Sequence, residues 1–354
     1  MPQVAQNTCA IACLLGRVMA SKRHGRLGAL TWLPAPAYSA AMRVLGASEV
    51  IAALDFPGLI EALRRSLRAR EPIRNWQQQA AVPAAGGQAA ALQISAAWQA
   101  GRHFGVEVAT DFPAPAAASG TVHHGAYLLL DRRNGERRAF LDGAALTQRR
   151  LAATSALAAA YLARPDCERL LLIGATDLAS HLLEAHAATR PIRNVLVWDR
   201  DFALAAGLAR RLTRRTLKVA PTEDLEGAVR GAHLVCCTGD LGEPVLRGRW
   251  LPQGAHVDLV LGAGAEALAA DDETLDRSRC YVDKLAPATA ERNAPTSIAT
   301  RRSTVVPIAG DLAELVHGRV AGRSFTNQIT LFRSTGLGFL DLAAAEQAFD
   351  NIVN

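Results

Sequence analysis

Lysine is almost absent from this chain: 3 Lys stand against 36 Arg in 354 residues. Negative charge is missing from residues 1–48, where the first acid is Glu49. The formal net charge of +6 is small for this length and does not indicate a nucleic-acid partner. The densest basic run, Arg210-Arg211-Leu212-Thr213-Arg214-Arg215, has no aromatic residue among its charges and reads as a solvated helix end. Long hydrophobic runs are also missing. The longest, Leu151 to Ala163, is too short and interrupted to cross a bilayer, so no membrane association is expected. The 6 cysteines form no CxxC pair, and no histidines cluster at metal-ligand spacing. That excludes a disulfide framework and a sequence-evident metal site, and makes a reducing cytoplasm the expected compartment. Cys236 and Cys237 lie in an apolar run and read as buried strand residues.

What is present is apolar material. Half of the residues are hydrophobic and 20% are charged. Mean hydropathy is +0.08, so wholesale disorder is excluded. The length suggests about two domains. Residues 1–41 are basic and acid-free, and are expected to be a disordered or non-native extension, with the folded chain starting near Met42. Ser48 to Arg70 has helical spacing, broken or restarted at Pro57. Short alternating runs between Gln88 and Ala109 read as strands. So do Ala126–Asp131 and Arg138–Leu141, around an Asn134-Gly135 turn. Residues 42–145 thus form a strand-rich α+β module. Thr147 is expected to cap an Ala-rich helix that Pro165 stops. Apolar strands then alternate with short helices from Leu170 to Val282, the pattern of a doubly wound parallel sheet.

The first turn of that series is Gly174-Ala175-Thr176-Asp177-Leu178-Ala179. It resembles the Gly-x-Gly-x-x-Gly/Ala dinucleotide fingerprint, with Thr176 in place of the middle glycine. A Cβ there crowds a pyrophosphate, whereas its hydroxyl could donate to one. Asp199 ends the second strand, where it can accept ribose hydroxyls, while the adjacent Arg200 could pair a 2′-phosphate. NAD is the expected cofactor, with NADP left open.

Several motifs in order resemble the ornithine cyclodeaminase/mu-crystallin family. They are Leu146-Thr147-Gln148-Arg149-Arg150 with the Ala-rich run after it, Gly231-Ala232-His233-Leu234-Val235-Cys236, and Trp250-Leu251-Pro252 leading to His256-Val257. Ile329-Thr330-Leu331-Phe332-Arg333-Ser334-Thr335-Gly336 and Asp341-Leu342-Ala343 complete the set. The resemblance implies a Rossmann domain, residues 147–305, inserted in a substrate and dimerisation domain, residues 42–146 with 306–354. It also implies a homodimer, and hydride exchange between NAD(P) and the α-carbon of a small amino or imino acid. Arg74 and Arg150 match the substrate-carboxylate positions, and Thr238, Ser334 and Gly336 are further cofactor candidates. Two positions depart from the family. Glu107 replaces a lysine, and Gly264 stands where an aspartate is expected, with Asp258 and Glu266 as nearby acids. Glu107 then either binds a cationic group or serves as acid/base. The leading expectation is an imino-acid reductase or amino-acid dehydrogenase. A ligand-binding protein with lost chemistry and a true ornithine cyclodeaminase are the alternatives.

Overall fold

The computed structural model describes residues 42–353 except 85–88, 100, 102, 114–120, 215–216, 240, 242, 261–268, 285–296, 300–304 and 335–337. The expected extension 1–41, Gly264, Glu266 and Gly336 lie outside the described residues.

β1 (Arg43–Leu45) leads into α1 (Ala47–Ala53) and α2 (Phe56–Arg68). The break between the helices is where Pro57 placed it. The Asp55 side chain accepts from the Gly58 amide and starts α2 afresh, with the proline in its first turn. Then come β2 (Arg74–Pro83), β3 (Ala89–Trp98), β4 (His103–Pro113), β5 (Thr121–Asp131) and β6 (Arg137–Asp142). They form a six-stranded sheet, order β1-β6-β5-β4-β3-β2, antiparallel except for the β1/β6 pair. β2 has little apolar alternation and was not expected; it is an edge strand held by its ladder to β3. The short strands foreseen between 88 and 109 are two long ones.

α3 (Gly143–Leu162) starts five residues earlier than expected. Asp142, not Thr147, is its N-cap and accepts from the Ala145 amide. Fifteen of its residues are buried, because it runs between the two sheets of the protein. Alanine on nearly every side allows this close approach.

The second sheet has nine strands. They are β7 (Arg169–Ile173), β8 (Asn194–Trp198), β9 (Lys218–Pro221), β10 (Leu234–Thr238), β11 (His256–Val260), β12 (Ser278–Val282), β13 (Ser297–Ala299), β14 (Val305–Asp311) and β15 (Ile329–Ser334). Their order is β13-β14-β12-β15-β11-β10-β7-β8-β9, all parallel except β13 against β14. Continuous apolar runs such as Leu234–Thr238 are buried throughout, as a sheet covered on both faces requires. Among the described residues the helices of this part are α4 (Asp177–Thr189), α5 (Phe202–Leu212), α6 (Leu225–Gly231), α7 (Asp272–Asp276) and α8 (Leu312–His317). α9 (Asp341–Val353) then returns to pack on α1, α2 and α3.

The boundary expected at residue 306 needs correcting. β14 and β15 belong to the large sheet, with β15 between β11 and β12. Between them α8 packs on α2 of the first module, and the chain returns to that module again with α9.

Candidate functional site at the junction of the two sheets

The order β9-β8-β7-β10-β11 reverses direction between β7 and β10. A parallel sheet opens a crevice for ligands at such a point, outside its carboxyl ends. Gly174 sits there with φ +95°, and a Cβ on it would lie 2.2 Å from the Thr238 carbonyl oxygen. Only glycine fits this turn. Thr238 donates from its hydroxyl to the Gly174 carbonyl at 3.1 Å, so the Thr176 hydroxyl, 2.8 Å away, donates to Thr238. Thr176 is therefore committed to the turn itself. Donors for a phosphate are left to the backbone amides at the start of α4, where Asp177 and Leu178 lie. Asp199 accepts from the Ala175 amide at 2.7 Å and the Asp201 amide at 3.0 Å, fixing its carboxylate beside the turn. Arg200 points elsewhere, pairing with exposed Glu243 at 2.9 Å. Ser334 is buried at the end of β15, its hydroxyl 3.2 Å from Asp283.

The chemistry of the other sheet gathers on its inner face. Cross-strand partners share a face, and Gln77, Ser95, Glu107, Tyr127 and Leu141 form one row across β2 to β6. Glu107 is 5% exposed. Ser95 and Thr147 donate to its two carboxylate oxygens at 3.1 and 3.3 Å. Burial, then the nearby Asp341 charge, push its pKa up to about 7 against the pull of Arg150 and Ser95. Arg150, 2% exposed, is paired through Nε and Nη2 with both oxygens of Asp341 at 2.9 and 3.1 Å. Gly338 closes this cluster. A Cβ there would stand 2.8 Å from the Asp341 carboxylate and 3.2 Å from that of Glu107, so both flank one point. Gly105 plays the same part for Tyr127, whose hydroxyl would lie 1.9 Å from an added Cβ. That hydroxyl is buried without a partner among the described residues.

Arg74 is not brought to this cluster. It pairs with Trp98 in register, and strand alternation puts both on the opposite face from Asn75, Ser95 and Glu107, with Arg74 exposed. Its neighbour Asn75 faces inward and accepts from the Lys284 ammonium at 2.9 Å. Asp258 is also elsewhere, buried within β11. It accepts from Ser155 at 2.6 Å and is contacted by His186 and His256, each at 3.1 Å. Burial alone would raise its pKa; the imidazoles outweigh that and hold it below the usual carboxylate range. Cys236 lies 3.4 Å from His186, so a His–Cys–Asp group of metal-ligand size exists that no spacing in the sequence announced. Its atoms already engage one another. A hollow of about 840 Å³ opens at the other end of β12, among Arg277, Ser278, Phe325 and Gln328, and contains none of the groups above.

Sequence reasoning missed Ser95, Thr147, Tyr127, Lys284 and the role of Asp341. Asp341 carried a signal: a lone acid two residues after Gly338-Phe339 and before an Ala-rich helix. Ser95 and Tyr127 are brought in by sheet register, Thr147 by the second turn of α3, and Lys284 by the chain that leaves β12.

A Rossmann-type sheet is joined by α3, which carries a buried arginine, to a second sheet that presents a buried acid. This defines a dinucleotide-domain protein with a small-molecule module. The sequence profile of the ornithine cyclodeaminase/mu-crystallin family matches residues 70–354, and the chain belongs to that family. It is 32% identical to a Δ1-pyrroline-2-carboxylate reductase from Paracoccus denitrificans, over 72% of this chain and 81% of that one. Its fold is similar to that of the Thermococcus litoralis Δ1-pyrroline-2-carboxylate reductase in complex with NADH and L-proline. The TM-score is 0.77 at 24% identity, covering 88% of this chain and 98% of the other. An archaeal alanine dehydrogenase dimer with bound NAD superposes with TM-score 0.72 at 20% identity, covering 88% and 96%.

Proposed function

We propose that this protein is an NAD-dependent reductase of small, carboxylate-bearing imines, converting an α-imino acid such as a cyclic ketimine to the amino acid. The observation that carries this reading is Glu107: a buried acid poised near neutral pH beside a fixed arginine, at the crevice edge of a dinucleotide sheet. The residues of the turn fit the cofactor, since Gly174 leaves backbone space that a Cβ would fill and Asp199 stands at the second strand end. NADH, when bound, supplies the hydride for the imine carbon. Glu107, protonated below about pH 7, gives its proton to the imine nitrogen and is left as the carboxylate. Ser95 and Thr147 then stabilise that charge from their two hydroxyls. Asp341 holds the Arg150 guanidinium rigid and leaves its Nη1 edge for the substrate carboxylate. NAD is favoured over NADP because Glu243 already occupies Arg200. The relative from Paracoccus, named for reduction of such an imine, points the same way.

We also read the protein as a homodimer, formed through the outer face of the six-stranded sheet. Val44, Phe140, Leu128, Val106, Ala96 and Trp76 form one cross-strand row over all six strands. Val44 is 63% exposed and Trp76 50%, and Ile94, Trp98 and Val108 are exposed beside them. Such a face calls for a partner, and a second copy meets it with the same apolar row. Among the described residues no helix is long and apolar enough to cross a membrane. Four cysteines, Cys167, Cys236, Cys237 and Cys280, are buried free thiols, which suits a cytoplasmic setting.

The test is NADH oxidation by the purified protein with Δ1-pyrroline-2-carboxylate, its six-membered homologue and iminosuccinate, with ammonia and pyruvate in a parallel reaction. Turnover of at least one imine, with NADH preferred to NADPH, is expected. Tight NADH binding with no turnover of any would replace this reading with that of a binding protein.

A further inference from the structure

Nearly all cations of the chain are arginine, so a lysine at an inner position stands out. Lys284 follows β12 at the same sheet edge as Gly174, Thr238 and Ser334. It reaches from the large sheet to the small one. Its Nζ is 2.9 Å from Asn75 Oδ1, on the face that carries Ser95 and Glu107. The Nζ also lies 4.9 Å from the ring centroid of Phe339, the residue after Gly338. Among the described residues its hydrogen-bond partner is therefore a neutral amide oxygen, with an aromatic face alongside. Burial lowers its pKa although Asp311 and Asp283 oppose that. An ammonium has three donors, and an amide oxygen uses one. Arg74, expected as the second cation for a carboxylate, faces the other side of its sheet.

We propose that Lys284 is the second substrate-binding cation of this site, taking the carboxylate of the imine together with Arg150. This rests on the reductase reading above. The ammonium leaves Asn75, or shares its donors with it, and meets the carboxylate from the dinucleotide side while Arg150 holds it from α3. Lysine suits the task because its point charge on a flexible stem can move between two acceptors. A guanidinium fork fixed on the neighbouring carboxylates could not do so as readily. The charge that Glu107 removed from β4 is thus returned from the opposite sheet. One consequence is specificity: two cations around one carboxylate favour imines that carry it over those that lack it.

The experiment compares the full-length protein with its Lys284→Met and Lys284→Arg variants. The substrates are Δ1-pyrroline-2-carboxylate and 1-pyrroline, the same ring without the carboxylate, with NADH in excess. For Lys284→Met we expect KM for the carboxylate substrate to rise roughly tenfold or more, the loss of one charge-assisted hydrogen bond. The kcat should change far less, 1-pyrroline turnover and NADH affinity should stay as they were, and Lys284→Arg should recover part of the KM. An unchanged KM, or equal losses on both imines, overturns the proposal. Calorimetric titration of the NADH complex with pyrrole-2-carboxylate, an inert planar carboxylate, decides the matter without turnover. If the parent protein reduces neither imine, the reductase reading falls, yet weaker binding of this probe by Lys284→Met still supports the cation. Equal binding by the two, or none by the parent, overturns it.

Discussion

Glu107→Gln should make the protein more stable and less active, and the stability gain should depend on pH. Folding carries the Glu107 pKa from its ordinary 4.5 to about 7. An acid raised in this way holds more protons folded than unfolded across that window, so the free energy of unfolding falls as pH rises from 4.5 to 7. The full effect is about 3 kcal/mol, taking 1.36 kcal/mol per pKa unit as an upper figure. At pH 5 the side chain is neutral in the folded protein, and glutamine replaces a neutral group of the same shape. At pH 8 wild type buries a carboxylate beside Asp341, while the variant buries an amide to which Ser95 and Thr147 still donate. Urea titrations at pH 5 and pH 8, at one fixed protomer concentration because dimers unfold with mass action, measure the difference. Near-equality at pH 5 and a gain of about 2–3 kcal/mol at pH 8 are expected. Turnover should drop roughly 10²–10⁴-fold for loss of the general acid. A difference between the two proteins that does not change with pH would refute the reasoning, because Glu107 would then be an ordinary exposed acid.

Other outcomes follow from neighbouring contacts. Asp341→Ala leaves the Arg150 guanidinium buried and unpaired, and should cost about 3–5 kcal/mol in denaturant titration; a loss below about 1 kcal/mol would mean that water reaches the arginine. Asp199→Ala removes the carboxylate that fixes the Ala175 amide and should weaken NADH binding in a fluorescence titration. Arg200→Ala should leave NADH and NADPH affinities where they were, and a selective loss of NADPH would show that the arginine leaves Glu243 to read phosphate. Trp76→Glu puts a charge at the β2 end of the apolar outer row, so sedimentation should find monomers; an intact dimer would place the interface elsewhere.

The alternating part of the fold was legible because buried parallel strands announce themselves as apolar runs. Leu170–Ile173 and Val195–Trp198 needed no partner to be recognised. β2 was not legible: Arg74–Pro83 reads as polar, and its strand character comes from the ladder to β3. The Gly174 turn and Asp199 could be located from spacing. The state of Thr176 could not, since it depends on Thr238, 62 residues away. Glu107 showed as a charge in an unusual place, but its burial depends on Gly338 and Asp341, which reach it from the far end of the chain. Arg74 misled because pattern assigns a residue to a strand and not to a face. One residue along, Asn75 points where Arg74 was expected.

The pair between Arg150 and Asp341 joins residues 191 positions apart. During synthesis the arginine and the glutamate emerge early, whereas β15 and α9, with six residues between them, emerge together. Until that helix arrives, Arg150 lacks its paired carboxylate, Asp341, and the 3-10 turn at Gly338–Leu340 lacks the helix that follows it. A C-terminally clipped chain therefore holds most of its fold and an unassembled site. The site is completed only by α9, so a subunit that lacks this helix carries much of the architecture of the protein without its reactivity.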